Sequence, residues 1–170
     1  KKTRTFISIA PSTTQMGSKQ ATPKLTIIIP AYNEEARISK TIEDYCTTFT
    51  HQGKNKNGGA IVHIVVNGST DKTATIVEKY RKRYKNLRCT NIPQPIGKGG
   101  AVIIGLQTAT TPLIGYADAD GATRAKDFAA TLPAIANADA VIASRYVPGA
   151  HVHPKQPFTR RLASRSFNML

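Results

Sequence analysis

Leu113-Ile-Gly-Tyr-Ala-Asp-Ala-Asp-Gly-Ala-Thr123 sets an apolar run against two aspartates, Asp118 and Asp120, with Gly121 directly after them. The run reads as a buried strand. Strand side chains alternate faces, so residues at i and i+2 project to the same side. Strand geometry carried to the end of the run therefore brings both carboxylates to its carboxyl edge. Carboxylates held that close repel unless a cation or a shared proton intervenes. Hard divalent cations such as Mg²⁺ favour such oxygen ligands and commonly take substrate phosphates as well. A metal–diphosphate site at the end of a central strand is one reading. An ordinary acidic turn is the other, because Asp and Gly are both common turn formers.

Outward from this stretch, strands and helices alternate. Lys24-Leu-Thr-Ile-Ile-Ile-Pro30 and Ala60-Ile-Val-His-Ile-Val-Val66 are β-branched apolar runs that predict buried strands, and Leu87 to Ile92 predicts a shorter one. The 113–123 stretch supplies the fourth strand and Ala138 to Ser144 the fifth. Helical spacing falls between them. It is carried by Ile38, Ile42, Tyr45 and Phe49, then by Ala74, Val77, Tyr80 and Tyr84, then by Gly97 to about Thr110, and lastly by Phe128, Leu132 and Ile135. Asn33 is placed to cap the first of these helices, with Glu34 and Glu35 in its first turn. Such alternation predicts an α/β chain with a mostly parallel sheet and helices on both faces. Ligands of such sheets bind beyond the carboxyl ends of the strands. Tyr32–Glu34, Asn67–Asp71, Gly97–Gly100 and Asp118–Asp120 all fall at those ends, and that convergence favours a site over a turn.

The 170 residues suit a single domain with a substantial core. Residues 1–23 read as a flexible basic segment and 24–170 as the folded domain. Met16-Gly17-Ser18 reads as a start of translation, which would leave residues 1–15 outside the native chain. No apolar run reaches the roughly 20 residues of a spanning helix, and the basic start lacks the apolar stretch of a secretory signal. Cys46 and Cys89 show no ligand spacing and read as reduced thiols. The net charge of +14 gathers at Lys1–Lys24, Lys79–Arg88 and Lys155–Arg165. A phosphorylated substrate, an anionic membrane surface and nucleic acid all suit a basic chain. No aromatic-interleaved motif of the RNA-binding kind is read here, so nucleic acid is not expected.

Gly97-Lys-Gly-Gly100 is neither a Walker A loop nor a dinucleotide fingerprint. Lys98 is followed by Gly99 rather than Ser or Thr, and Val102 stands where the fingerprint needs Gly or Ala. Beyond a flexible helix start, it can offer backbone amides and the Lys98 ammonium to a phosphate.

Five motifs occur in one order. They are Ile-Ile-Ile-Pro-Ala-Tyr-Asn-Glu-Glu (27–35), Asn-Gly-Ser-Thr-Asp (67–71), Gly-Lys-Gly-Gly-Ala-Val (97–102), Ala-Asp-Ala-Asp-Gly-Ala (117–122) and Ala-Ser-Arg-Tyr-Val-Pro-Gly (143–149). Together they resemble the inverting family 2 glycosyltransferases of GT-A fold, and within these the dolichyl- or polyprenyl-phosphate mannose and glucose synthases. The resemblance covers about residues 24–170. It implies a Rossmann-like three-layer sandwich, truncated at its C-terminal side, since relatives continue past the point matching Leu170.

The resemblance also implies roles. Pro30, Tyr32, Glu34, Asn67, Lys98 and Asp118 fall where the family binds the nucleotide sugar. Asp118 and Asp120 match its metal and diphosphate motif, with Mg²⁺ or Mn²⁺ as the cation. Arg145 matches a catalytic position and, with Arg160 and Ser164, grips the acceptor phosphate in the lipid-phosphate members; arginine suits bidentate phosphate binding. Val66 and Asn67 stand where the family commonly has two aspartates. An asparagine there can accept from a pyrimidine N–H through its amide oxygen, which favours UDP-glucose slightly over GDP-mannose. Ala122 stands where some mannose synthases carry a metal-ligating Gln, and the pattern leans towards the glucosyl type. The implied reaction is metal-dependent transfer of a hexose to a polyprenyl or dolichyl phosphate at the cytosolic face of a membrane. That membrane is the endoplasmic reticulum in a eukaryote and the plasma membrane in a prokaryote. Transfer to a sugar hydroxyl in polysaccharide or glycoprotein synthesis, and a non-catalytic nucleotide- or nucleic-acid-binding module, are the alternatives.

Overall fold

A computed structural model describes residues 4–7, 24–50 and 59–143. Its centre is a four-stranded parallel sheet in the order β4-β3-β2-β5. The strands are β2 (Leu25–Ala31), β3 (Ala60–Asn67), β4 (Leu87–Ile92) and β5 (Leu113–Tyr116). Helix α1 (Ile38–Thr48) connects β2 to β3, α2 (Thr73–Arg81) connects β3 to β4, and α3 (Gly97–Thr108) carries the chain back to β5 on the far side of β2.

Every residue of β2 and β3 is buried, as β-branched runs without polar alternation require of strands covered on both faces. The period of two splits their side chains between two cores. Ile27, Ile29, Val62, Ile64 and Val66 pack under α1 and α2 with Ile38, Ile42, Tyr45 and Val77. Ile28 and Val65 pack on the other face with Ala101 of α3 and Ile114. Each fully buried aliphatic side chain contributes about 1.5–3 kcal/mol. Gly105 lets α3 lie close to the sheet, since a Cβ there would come within 2.5 Å of Ile28 Cγ2. Cys46 is buried and Cys89 half-buried, both as free thiols; burial pushes the Cys46 thiol up to about 12.

Three expectations change. The helix predicted around Phe128, Leu132 and Ile135 is two pieces, α4 (Ala125–Ala129) and a 3₁₀ turn over Leu132–Asn137. Pro133 in its first turn accounts for the break, because proline lacks the N–H that continues an α-helix. The fifth strand, β6 (Ala140–Ala143), does not extend the parallel sheet. It pairs antiparallel with β1 (Arg4–Ile7), a strand that the reading of a flexible basic N-terminal segment does not contain. Helix α1 starts only at Ile38, with no acidic residue in its first turn and no side-chain cap. Asn33, Glu34 and Glu35 therefore serve elsewhere.

Candidate functional site

The carboxyl ends of β2, β3 and β5 open on a cleft of about 520 Å³. Its lining includes Pro30, Tyr32 and Glu34 from the end of β2, Asn67 from β3, Lys98 from α3, and Asp118 and Asp120 after β5. All the donor-side and metal-binding residues expected from sequence thus share one cavity. Arg145, Arg160 and Ser164, expected to hold the acceptor phosphate, lie outside the described residues.

Strand β5 ends at Tyr116, yet its alternation carries on. Ala117 and Ala119 are each 4% exposed and belong to the core, while Asp118 is half-buried and Asp120 exposed. Two alanines facing inward thus put two carboxylates on the cleft side. Helix α1 holds this loop from below. Thr41 Oγ1 donates to the Ala119 carbonyl at 2.8 Å, Tyr45 Oη donates to the Thr123 carbonyl at 3.0 Å, and the Ala125 N–H donates to Asp44 Oδ2 at 2.7 Å. The sequence pattern shows Tyr45 only as a core residue and is silent on Thr41 and Asp44.

Asp118 is the electrostatic centre. The Lys98 ammonium lies 2.6 Å from its Oδ1, and the Tyr116 hydroxyl donates to the same oxygen. Those two partners raise the Lys98 pKa, Asp118 most, so the side chain stays a cation at any physiological pH. Burial, then the bond to Asp118, raises the Tyr116 hydroxyl as well. Asp120 accepts from the Ala122 N–H through Oδ1 at 2.9 Å. Among the described residues no group of three or more His, Cys, Asp or Glu could hold a metal ion. Two carboxylates at one cleft do fit a hard cation that keeps its waters and takes further oxygens from a diphosphate. Asp118 and Asp120 are the residues that would hold it.

The loop after β2 and the loop after β3 are tied together by hydrogen bonds. The Asn33 N–H donates to Ser69 Oγ (3.1 Å), that of Glu34 to Thr73 Oγ1 (2.8 Å) and that of Glu35 to Asp71 Oδ2 (3.0 Å). In return the Thr70 N–H donates to Asn33 Oδ1 and the Lys72 N–H to Glu35 Oε2, each at 2.9 Å. Asn33 takes a positive φ of 51°, a conformation that asparagine tolerates better than most residues. Asn33 and Glu35 are thus braces between loops, and Ser69, Thr70, Asp71 and Thr73 are their partners. Only the Ser-Thr-Asp turn composition hinted at this. Glu34 turns its carboxylate to the Arg37 guanidinium in a two-point contact of 2.8 and 2.9 Å.

Asn67 is held by the loop before α3: its Oδ1 accepts from the Ile96 N–H at 2.7 Å, which takes one of the two lone pairs of the amide oxygen. Gly68 makes this contact possible. It has φ +64°, and a Cβ there would sit 2.5 Å from the Pro95 nitrogen, so only glycine lets the two loops meet.

A dolichyl-phosphate beta-glucosyltransferase of Trichomonas vaginalis is 40% identical over 106 residues, covering 61% of this chain and 32% of the relative. The Homo sapiens dolichyl-phosphate beta-glucosyltransferase is 32% identical over 109 residues, covering 62% of this chain and 34% of the relative. The matched stretches thus span about a third of the length of these relatives. Among solved structures, S. aureus TarS superposes with a TM-score of 0.53 at 25% identity, covering 66% of this chain and 32% of that one. The fold is GT-A, a parallel sheet between helical layers. The family model "Glycosyl transferase family 2" matches residues 26–169, and the chain belongs to that family.

Proposed function

We propose that this chain belongs to an inverting glycosyltransferase that moves a hexose, glucose by preference, from a nucleoside diphosphate to a dolichyl or polyprenyl phosphate. One observation carries the reading. A single cleft joins a nucleoside-sized wall (Pro30, Tyr32, Asn67) to a charged wall (Lys98, Asp118, Asp120), in a chain whose relatives are named for transfer to dolichyl phosphate. Tyr32 is 54% exposed at the cleft and offers its ring to a base. UDP-glucose is the preferred donor over GDP-mannose.

In the proposed reaction an oxygen of the acceptor phosphate attacks the anomeric carbon. The bond from that carbon to the diphosphate oxygen breaks, and the configuration inverts. Mg²⁺ or Mn²⁺ held by Asp118 and Asp120 would offset the charge that grows on the leaving diphosphate. Lys98 adds a second, permanent positive charge to the same wall. The acceptor phosphate, with a second pKa of about 6, is ionised near neutrality and needs no general base. Arg145, Arg160 and Ser164 are proposed to hold it, as the family motif implies. Among the described residues no helix is long and apolar enough to cross a membrane. A lipid acceptor nonetheless calls for work at a membrane surface, which a chain of net charge +14 suits when that surface is anionic.

The test is a melting panel with UDP-glucose, GDP-mannose and UDP-N-acetylglucosamine, each with and without Mg²⁺ or Mn²⁺. It is followed by a transfer assay on dolichyl phosphate. A donor at 100 times its Kd adds about 2.7 kcal/mol of stability. Metal-dependent stabilisation by UDP-glucose is expected. No stabilisation by any donor, or transfer to a sugar hydroxyl in place of the lipid phosphate, would overturn the proposal.

A further inference from the structure

Among the described residues, Asn67 carries an unspent donor. The side chain ends β3, is 4% exposed and lines the cleft. Asparagine oxygen and nitrogen are interchangeable by shape, so their assignment must come from a partner of known polarity. The Ile96 N–H is such a partner, since a backbone amide can only donate, and its 2.7 Å contact fixes the oxygen on the Ile96 side. The Nδ2 group is therefore the other arm. It has two donors and no hydrogen-bond partner among the described residues, although buried polar groups are nearly always paired.

We infer that Asn67 reads the nucleobase as a hydrogen-bond donor: its Nδ2 meets a carbonyl on the base edge, the 4-carbonyl of uracil, rather than accepting from the ring N3–H. This rests on the nucleotide-sugar reading above and sharpens it. The 4-carbonyl is the acceptor at the far edge of the ring, whereas the 2-carbonyl sits beside the ribose. Gly68 and Pro95 fix the backbone on either side of the Asn67–Ile96 contact, so the carboxamide cannot turn over without stranding the Ile96 N–H. The polarity of the reading group is thus set by the protein before any ligand arrives. A carboxylate at this position would keep the Ile96 contact and present an acceptor to the base; asparagine presents a donor.

The experiment compares UDP with inorganic pyrophosphate, by calorimetry with Mg²⁺, on the wild-type chain and on Asn67→Asp. Pyrophosphate reports the charge change alone, so the ratio of the two affinities isolates the base. The expected outcome is a fall of about tenfold or more in the UDP-to-pyrophosphate ratio, the scale of a lost hydrogen bond facing an unpaired acceptor. A ratio that holds or rises would overturn the inference, because an N3–H donor would welcome the carboxylate. A second arm leaves the protein untouched: 4-thio-UDP, whose sulfur accepts poorly, should bind the wild type several-fold more weakly than UDP, and equal binding counts against the 4-carbonyl. Wild-type protein that prefers UDP no more than pyrophosphate refutes the nucleotide-sugar reading itself, and this inference with it.

Discussion

The two walls of the cleft are both polar loops at strand ends, but their side chains spend their hydrogen bonds differently. Behind the wall proposed to take the nucleoside, Asn33, Glu35, Ser69, Thr70, Asp71 and Thr73 bond across the gap between the loops after β2 and β3. Their polar atoms are consumed by one another, and the result is a rigid rim. On the charged wall, the loop after β5 is held chiefly through its backbone, by Thr41, Asp44 and Tyr45 of α1. Carboxylates are thereby left on the cleft side, facing Lys98 and whatever binds there. On the first wall the side chains serve to join two loops; on the second the backbone is supported from behind, and Asp118 pairs with Lys98 and Tyr116 at the cleft itself.

The sharpest way to break this contrast is to remove a carboxylate from the charged wall. Asp120→Asn keeps the oxygen that accepts from the Ala122 N–H but loses the charge. Transfer should fall by about 10²-fold or more, on the scale of losing one electrostatic stabiliser of a transition state, with the melting midpoint close to that of the wild type. Metal titration of the variant should need higher Mn²⁺ for half-maximal donor stabilisation. A variant with wild-type transfer would place the chemistry elsewhere.

This division also marks what could be read from the sequence. The parallel sheet, the order of its elements and the aspartates were legible because apolar period and strand-end position are local signals. Ala117 and Ala119 made the outward turn of Asp118 and Asp120 readable even past the end of β5. The brace was not legible, because its bonds join residues 36 to 39 positions apart and Asn33-Glu-Glu is an equally good helix start. The Asn67 polarity needed the Ile96 N–H, supplied by another loop. The strand β6 was legible but its pairing was not, for the same reason, since its partner β1 sits at the opposite end of the sequence.

A second, smaller break acts on the support and not on the acids. Thr41→Val preserves shape and removes the donor to the buried Ala119 carbonyl. An unsatisfied buried carbonyl costs about 1–3 kcal/mol, which should appear as a lower melting midpoint. Transfer should fall by about tenfold, because a small displacement of a reacting group is costly. Thr41→Ser, which keeps the hydroxyl, should restore most of both. Loss of stability with unchanged transfer would show that α1 carries the loop without positioning the aspartates.

The smallest effect tests the other wall, through pH. Desolvation pulls the Asp71 pKa up, but hydrogen bonds from Thr73, from the Glu35 N–H and from its own backbone N–H together outweigh it and lower the pKa. A carboxyl whose pKa is lowered by folding adds stability above its unfolded pKa, and that stability is lost as pH falls through the folded value. Asp71 is half-buried but its hydrogen-bond partners are uncharged, so its contribution is small, at most about 1 kcal/mol at neutral pH. Asp71→Asn should therefore melt slightly lower than the wild type at pH 7, and the two curves should converge as the pH drops below about 4. Transfer should change less than in Thr41→Val, because the brace touches the rim and not the diphosphate. A gap between the melting curves that stays constant into acid would mean that Asp71 acts through shape alone, and the brace would then owe nothing to charge.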